Sequence, residues 1–258
     1  MHIWAVANQK GGVGKTTTVV SLAGLLADAG HRVLMIDLDP HGSLTSYFRF
    51  DPDSIERSAY DLFQVAGKIP ADLPPSLVLD TGHPNLSLLP ASTALATLER
   101  HAQAQGGMGL VISKSLAILW DSYDYVLIDS PPVLGVLMIN ALAACQQLVI
   151  PVQTEFLAIK GLERMVRTLT MINRARKRPV PYTIVPTLFD KRTQASTKSL
   201  RSLKDTYEEL VWDSVIPVDT KLRDASTAGI APSALDSNAR GIKAYGDLLA
   251  SLLNPVRP

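Results

Sequence analysis

Cysteine is almost missing from this chain of 258 residues, with Cys145 the only one. No internal disulfide can therefore form, and no cysteine metal cluster can be built within one chain. The lone thiol reads as a buried helix residue. Long apolar runs are missing too: the longest, Val133 to Cys145, is interrupted by Asn140 and is too short to cross a bilayer as a helix. No membrane partner is expected. No basic head followed by an apolar stretch precedes the first strand-like run, so a secretory leader is not expected and the location reads as cytoplasmic. Internal repeats and low-complexity tracts are absent. With a net charge of only +1 and 47% hydrophobic residues, the chain has the material for one large core. A single domain over residues 1–258 is expected, with 254–258 as a frayed tail.

What the chain does have is a glycine loop with two lysines, Lys10-Gly11-Gly12-Val13-Gly14-Lys15-Thr16-Thr17. In the ordinary phosphate loop, G-x-x-x-x-G-K-[ST], backbone N–H groups cradle phosphates, the lysine reaches the β and γ oxygens, and the hydroxyl holds Mg²⁺. Gly11, Gly12 and Gly14 let the main chain approach a charged ligand closely. Lys15 is the in-loop cation and Thr16 supplies the hydroxyl. The run His2 to Ala7 reads as a buried strand, and Thr17 to Ala29 as a helix whose N-terminus faces the phosphates. Lys10 is the departure, because a single pocket already served by Lys15 hardly needs a second ammonium.

Carboxylates fall where such a site requires them. The strand-like run Arg32 to Ile36 ends in Asp37-Leu38-Asp39-Pro40-His41-Gly42, and Tyr125 to Ile128 ends in Asp129-Ser130-Pro131-Pro132. In an open parallel sheet, ligands sit beyond the carboxyl ends of the strands, so these residues can converge on the loop. Phosphoryl transfer asks mainly for positioning and charge neutralisation.

The pattern KGGVGKTT resembles the deviant Walker A motif of the ParA/MinD family of dimerising ATPases, and the resemblance covers nearly the whole chain. It implies that Lys10 acts in trans on the nucleotide of a partner subunit, with ATP holding two subunits face to face. It implies that Asp129 is the Walker B carboxylate holding Mg²⁺ directly or through water, and that Asp39 orients the attacking water. Asp37 would support the magnesium shell, giving a metal set of Thr16, Asp37 and Asp129. The segment DLDPHGSLTSYF is similar to the family's switch segment, with His41 where glutamine is commoner and Ser43 where asparagine is. Thr187 and Pro217 match positions near the base. The single cysteine argues against the nitrogenase iron protein, a relative that needs more cysteine ligands per subunit.

Strand-like runs at Ile3 to Asn8, Val33 to Asp37, Leu86 to Pro90, Val126 to Asp129, Leu148 to Val152, Tyr182 to Pro186 and Val215 to Pro217 alternate with helical patterns. Such alternation predicts a three-layer α/β fold of the P-loop NTPase kind, a mostly parallel sheet with helices on both faces. Between Asp51 and Pro84, five prolines predict one short helix, Tyr60 to Ala66, and then a loop excursion.

Charge is divided along the chain. Residues 1–156 hold eight Lys and Arg against fourteen Asp and Glu, and residues 157–258 hold seventeen against ten. Lys198, Arg201 and Lys204 recur every three residues and share a helix face, with Leu200, Leu203, Tyr207 and Leu210 expected on the buried side. Arg174, Arg176, Lys177 and Arg178 form a second basic cluster, Lys221 and Arg223 a third. The family's DNA-binding members use basic residues at positions matching Arg192 and Lys221, so Arg192, Lys198, Arg201, Lys221 and Arg223 are the candidates for holding DNA without reading its sequence.

The resemblance implies an ATPase that uses ATP and Mg²⁺, dimerises in the ATP state and is stimulated by a partner protein. Its cargo would be a plasmid, a chromosome or a large assembly, with the chemotaxis-array branch of ParA-like proteins nearest in motif. Nucleoid association or polar foci would accompany that role. A MinD-type regulator of division site or flagellar number is the alternative. It would need a basic amphipathic C-terminal membrane helix, whereas Ile242 to Leu253 has one lysine and one aspartate and reads as a packing helix. A metabolic ATP-dependent ligase shares the loop alone.

Overall fold

The computed structural model describes residues 1–65, 68–101, 108–174, 176 and 178–254, with the side chains of 99–101 left aside. Seven strands form one sheet: β1 His2–Val6, β2 Val33–Asp37, β3 Leu79–Asp80, β4 Leu86–Leu89, β5 Tyr125–Asp129, β6 Gln147–Gln153 and β7 Tyr182–Thr187. Their spatial order is β3-β4-β2-β5-β1-β6-β7, and every pairing is parallel except β3 with β4. The central strands are apolar through their interiors because both faces are covered. In β1, Ile3 and Ala5 enter one core while Trp4 and Val6 enter the other, and β2 and β5 divide their residues in the same alternating way.

On the first face lie the helices Val111–Ile118, Val136–Ala144 and Phe156–Arg174, which contribute Ile112, Leu137, Leu142, Leu162 and Met165. On the second face the Lys15–Asp28 helix packs with Arg240–Leu253, which supplies Tyr245, Leu248, Leu249 and Leu252. The apolar side of the last helix is therefore spent on packing, as its composition predicts. Cys145 ends the Val136–Ala144 helix fully buried, and burial pushes its thiol up to about 12.

Some expectations are corrected. Val215 to Pro217 is not a strand. Residues 211–218 follow the outer edge of β7 through two isolated bridges, Ile184 with Val211 and Phe189 with Pro217. Pro186 and Pro217 lack the N–H that a continuous ladder would need. The loop excursion after the Ala59–Gln64 helix contains a four-residue helix, Leu73–Ser76, and strand β3; Ala66, the expected end of the earlier helix, lies outside the described residues. Leu210 is 38% exposed in a short 3-10 turn rather than buried, because the helix that carries Leu203 ends at Tyr207. Arg176 is no free cation: its guanidinium donates to the carbonyls of Leu142, Ala143 and Cys145, closing the end of the Val136–Ala144 helix. Lys177 and residues 255–258 lie outside the described residues.

Candidate active site

The sheet order puts β1 between β5 and β6 and sets β2 beside β5, so the ends of β1, β2 and β5 open together. In register, Val6 faces Asp129 and Asp37 faces Asp129. The chain leaves β1 through a loop anchored at its start: Asn8 Nδ2 donates to Pro151 O at 2.8 Å, and Gln9 Nε2 to Thr168 Oγ1 at 2.7 Å. Gly12 and Gly14 take φ of +75° and +88°, values that an L side chain resists. A Cβ placed at Gly11, Gly12 or Gly14 would meet nothing within 4 Å and would itself stand in the open cradle. Gly14 also precedes the first turn of the Lys15–Asp28 helix without a side-chain cap, leaving the N–H groups of that turn directed at the cradle.

Lys15 is buried, its ammonium 3.5 Å from Lys10 O. Burial lowers its pKa from the usual value, while Asp129 and Asp39 pull it back up. Lys10 is half-buried at the rim, and among the described residues its ammonium has one partner, Gly11 O at 3.5 Å. The loop passes so near the Phe156–Arg174 helix that a Cβ on Gly161 would stand 3.0 Å from Lys10 Cβ.

Thr16 Oγ1 donates to Asp129 Oδ2 at 2.6 Å, while Asp129 Oδ1 is buried with no hydrogen-bond partner among the described residues. Asp37 is fully enclosed and its oxygens are engaged. Oδ2 accepts from Thr45 N and Thr45 Oγ1, both at 2.8 Å, and Oδ1 from Asp39 N at 3.0 Å. Burial pushes the Asp37 and Asp129 carboxyls above the ordinary range, and Asp37 raises Asp129 further. Asp39 lies at the mouth, its Oδ1 bonded to the backbone N–H and ring of His41. One ammonium among three carboxylates leaves surplus negative charge, and the orphaned Asp129 oxygen beside the Thr16 hydroxyl is a hard-oxygen pair. That donor set fits Mg²⁺, which takes one or two protein oxygens and completes its octahedron with water and phosphate. Consistently, no group of three or more His, Cys, Asp or Glu is arranged for a metal among the described residues.

A cavity of about 430 Å³ adjoins the start of the Lys15–Asp28 helix, and Thr16, Thr17, Leu188, Val218, Asp219 and Arg223 are among its lining residues. Of the two residues expected near a base, Thr187 is buried with its hydroxyl on Val13 O at 2.8 Å, which pins the loop, and Pro217 is half-buried in its bridge with Phe189. Their immediate successors, Leu188 and Val218, line the cavity instead. Thr45 and Gln9 carried no signal in sequence, since each acts only through a partner distant along the chain.

The basic candidates fall into two groups. Arg192, Lys198 and Arg201 line one shallow depression with Lys191. There Arg192 is held by Asp190 through contacts of 2.7 and 2.9 Å, and neighbouring Lys204 is tied to Asp213 O at 2.8 Å. Lys221 stands 3.7 Å from Asp224, while Arg223 turns to the cavity beside Thr16 and Thr17.

Comparison with known proteins places these features in context. A family model described as an AAA domain matches residues 1–180. The chain is 33% identical over 247 residues to the sporulation initiation inhibitor protein Soj of Bacillus subtilis, covering 95% of this chain and 96% of that one. It is 30% identical over 260 residues to the chromosome partitioning protein ParA of Caulobacter vibrioides, covering 100% and 96%. The crystal structure of cobyrinic acid a,c-diamide synthase from Mycobacterium smegmatis, with bound ATP analog and magnesium, matches with a TM-score of 0.82 at 34% identity over 98% of this chain and 94% of that one.

Proposed function

This chain belongs to the ParA/Soj family of P-loop ATPases, and from that membership we propose that it is an ATP-gated positioning ATPase. MgATP holds two copies face to face, the pair rests on a matrix such as nucleoid DNA in the cytoplasm, and a partner protein speeds slow hydrolysis. The cargo is plasmid or chromosome DNA or, by motif resemblance, a chemotaxis array.

The observation that carries this reading is the unequal situation of the two loop lysines. Lys15 is enclosed with carboxylates, whereas Lys10 stands at the rim, held among the described residues only by Gly11 O. Its ammonium is available to a nucleotide seated in a second copy. Val133, Leu134, Phe156 and Leu157, each at least 42% exposed, follow the ends of β5 and β6 and support an apolar meeting face around the loop.

Within one copy, the loop N–H groups cradle the phosphates, Lys15 pairs with their outer oxygens, and Asp39 orients water for in-line attack. Thr16 and Asp129 would hold the magnesium, with Asp37 supporting the adjoining turn from behind through Thr45 and Asp39 N. The ion, when bound, neutralises charge on the phosphates.

Light scattering after size exclusion tests the lysine assignment. With MgATP the parent should double in mass, while Lys10→Ala should bind a fluorescent ATP analogue as the parent does and stay single. A Lys10→Ala protein that pairs as well as the parent ends the trans role, and a parent that binds no ATP ends the reading.

Two alternatives have specific observations to answer. A MinD-type membrane mode needs a free amphipathic helix, yet Arg240–Leu253 turns Ile242, Tyr245, Leu248, Leu249 and Leu252 inward; ATP-dependent flotation with liposomes would restore that mode. A ligase is named by the description of the Mycobacterium smegmatis protein. ATP turnover that requires a small carboxylic acid and a nitrogen donor, and ignores any protein partner, would favour it.

A further inference from the structure

Asp39 holds its carboxylate in an unusual way for a group at the mouth of the site. Both of its hydrogen bonds fall on Oδ1 and both come from one residue: the backbone N–H of His41 at 3.0 Å and the His41 ring Nδ1 at 2.9 Å. Oδ2 accepts nothing from the described residues. A carboxylate only accepts, so Nδ1 carries the shared proton. Asp51, Asp219 and Asp236 make the same two-residue turn through the backbone N–H, which shows that the turn needs no ring. The His41 side chain is 82% exposed while that of Asp39 is 13% exposed, so the imidazole lies over the carboxylate from the solvent side, and among the described residues its ring hydrogen-bonds only to Asp39.

We propose that His41 is a positioning residue for hydrolysis, its Nδ1–H fixing the plane of the Asp39 carboxylate so that Oδ2 faces the attacking water. The inference rests on the ATPase reading above and deepens it. Two donors on one oxygen remove the rotational freedom that a single backbone bond leaves, and the oxygen they leave free is the one that can accept from water. Orientation of this kind acts on the chemical step and leaves ground-state binding of the nucleotide alone. Because the ring is 82% exposed, replacing it removes this bond with little effect on folding.

ATP turnover at saturating MgATP is measured for the parent, His41→Leu and His41→Asn, with nucleotide affinity and thermal midpoint recorded for each. Loss of one hydrogen bond to a charged acceptor predicts that His41→Leu lowers kcat about tenfold with KM, affinity and midpoint unchanged. His41→Asn offers an amide nitrogen near the position of Nδ1 and should recover kcat to within about threefold of the parent. A His41→Leu kcat within about twofold of the parent or above it, a His41→Asn protein as slow as His41→Leu, or a lowered midpoint accompanying the loss overturns the inference. A parent that turns over no ATP sinks the ATPase reading together with it, whereas turnover indifferent to residue 41 sinks this inference alone.

Discussion

Three carboxylates and one ammonium meet at the ends of β2 and β5, and their charges do not balance. Asp37 and Asp129 are buried, and burial raises both above the ordinary carboxylate range, with the charge of Asp39 adding to the shift of Asp37 and that of Asp37 to the shift of Asp129. A group whose pKa is higher folded than unfolded favours the fold when protonated. Its contribution is therefore complete below the ordinary carboxylate range and is lost as pH rises through the folded value. The nucleotide-free protein should lose stability from about pH 4 towards pH 8. Asp129→Asn keeps an acceptor for Thr16 and removes the charge. It should raise the nucleotide-free thermal midpoint at pH 8 by about 2–4 °C per kcal/mol recovered, while abolishing magnesium-dependent turnover; calorimetry at pH 5 and pH 8 checks it, with the gain larger at pH 8. At this scale the phosphate loop and Asp129 were legible because chemistry demands those residue types at those spacings. Thr45 was not: it lies eight residues from Asp37 in the five-residue helix Ser43–Tyr47, and only the fold turns its hydroxyl onto that carboxylate and sets Ala91 N against it at 2.9 Å.

At the scale of elements, small residues decide which segments can cross. Gly24, in the middle of the Lys15–Asp28 helix, would with a Cβ stand 2.8 Å from Ala231 Cβ and 3.0 Å from Ser233 Oγ. The helix tolerates a poor helix former there because the Pro232–Leu235 segment lies directly on it. Gly24→Ala improves helix propensity by about 1 kcal/mol, yet the overlap forces displacement costing roughly 1–3 kcal/mol. The net expectation is a destabilised protein, measured by urea denaturation with an unchanged slope; a stabilised variant would show that the crossing can relax. Six of the seven strands, and the helices Lys15–Asp28 and Arg240–Leu253, were readable because apolar runs, loop glycines and the proline breaks agree with their observed bounds to within about two residues. The edge at residues 211–218 misled for a definite reason. Its apolar residues read as a strand, but pairing depends on donors in the neighbour as well, and Pro186 and Pro217 both lack them.

For the whole molecule, the acidic and basic halves of the chain come to different parts of one sheet. The carboxylates lie at the ends of β2 and β5, whereas Lys191, Arg192, Lys198 and Arg201 gather beyond β7, at the opposite edge from β3. Arg192 is already neutralised by Asp190, so among the described residues of this depression the free positive charge falls on Lys191, Lys198 and Arg201. If this surface holds DNA, Lys198→Glu with Arg201→Glu should weaken retention far more than Arg192→Ala, and should flatten the dependence of log affinity on log salt by about 0.9 for each lost phosphate contact. Fluorescence anisotropy across a salt series reads both; equal losses from the two variants would assign the contact to Arg192. Sequence alone determined the chemistry, because a glycine loop with Lys15 and Thr16 and carboxylates after apolar strands are local patterns whose meaning survives without coordinates. It also determined the layered class of the fold, since strands with continuous apolar interiors must be covered on both faces. Only the tertiary structure decided which polar groups are spent on one another: Thr187 on the loop carbonyl, Asp37 on Thr45, Arg176 on a helix end, Arg192 on Asp190. Such pairings join residues set side by side by strand order and helix crossing, and their energies depend on burial and distance, quantities that no linear spacing contains.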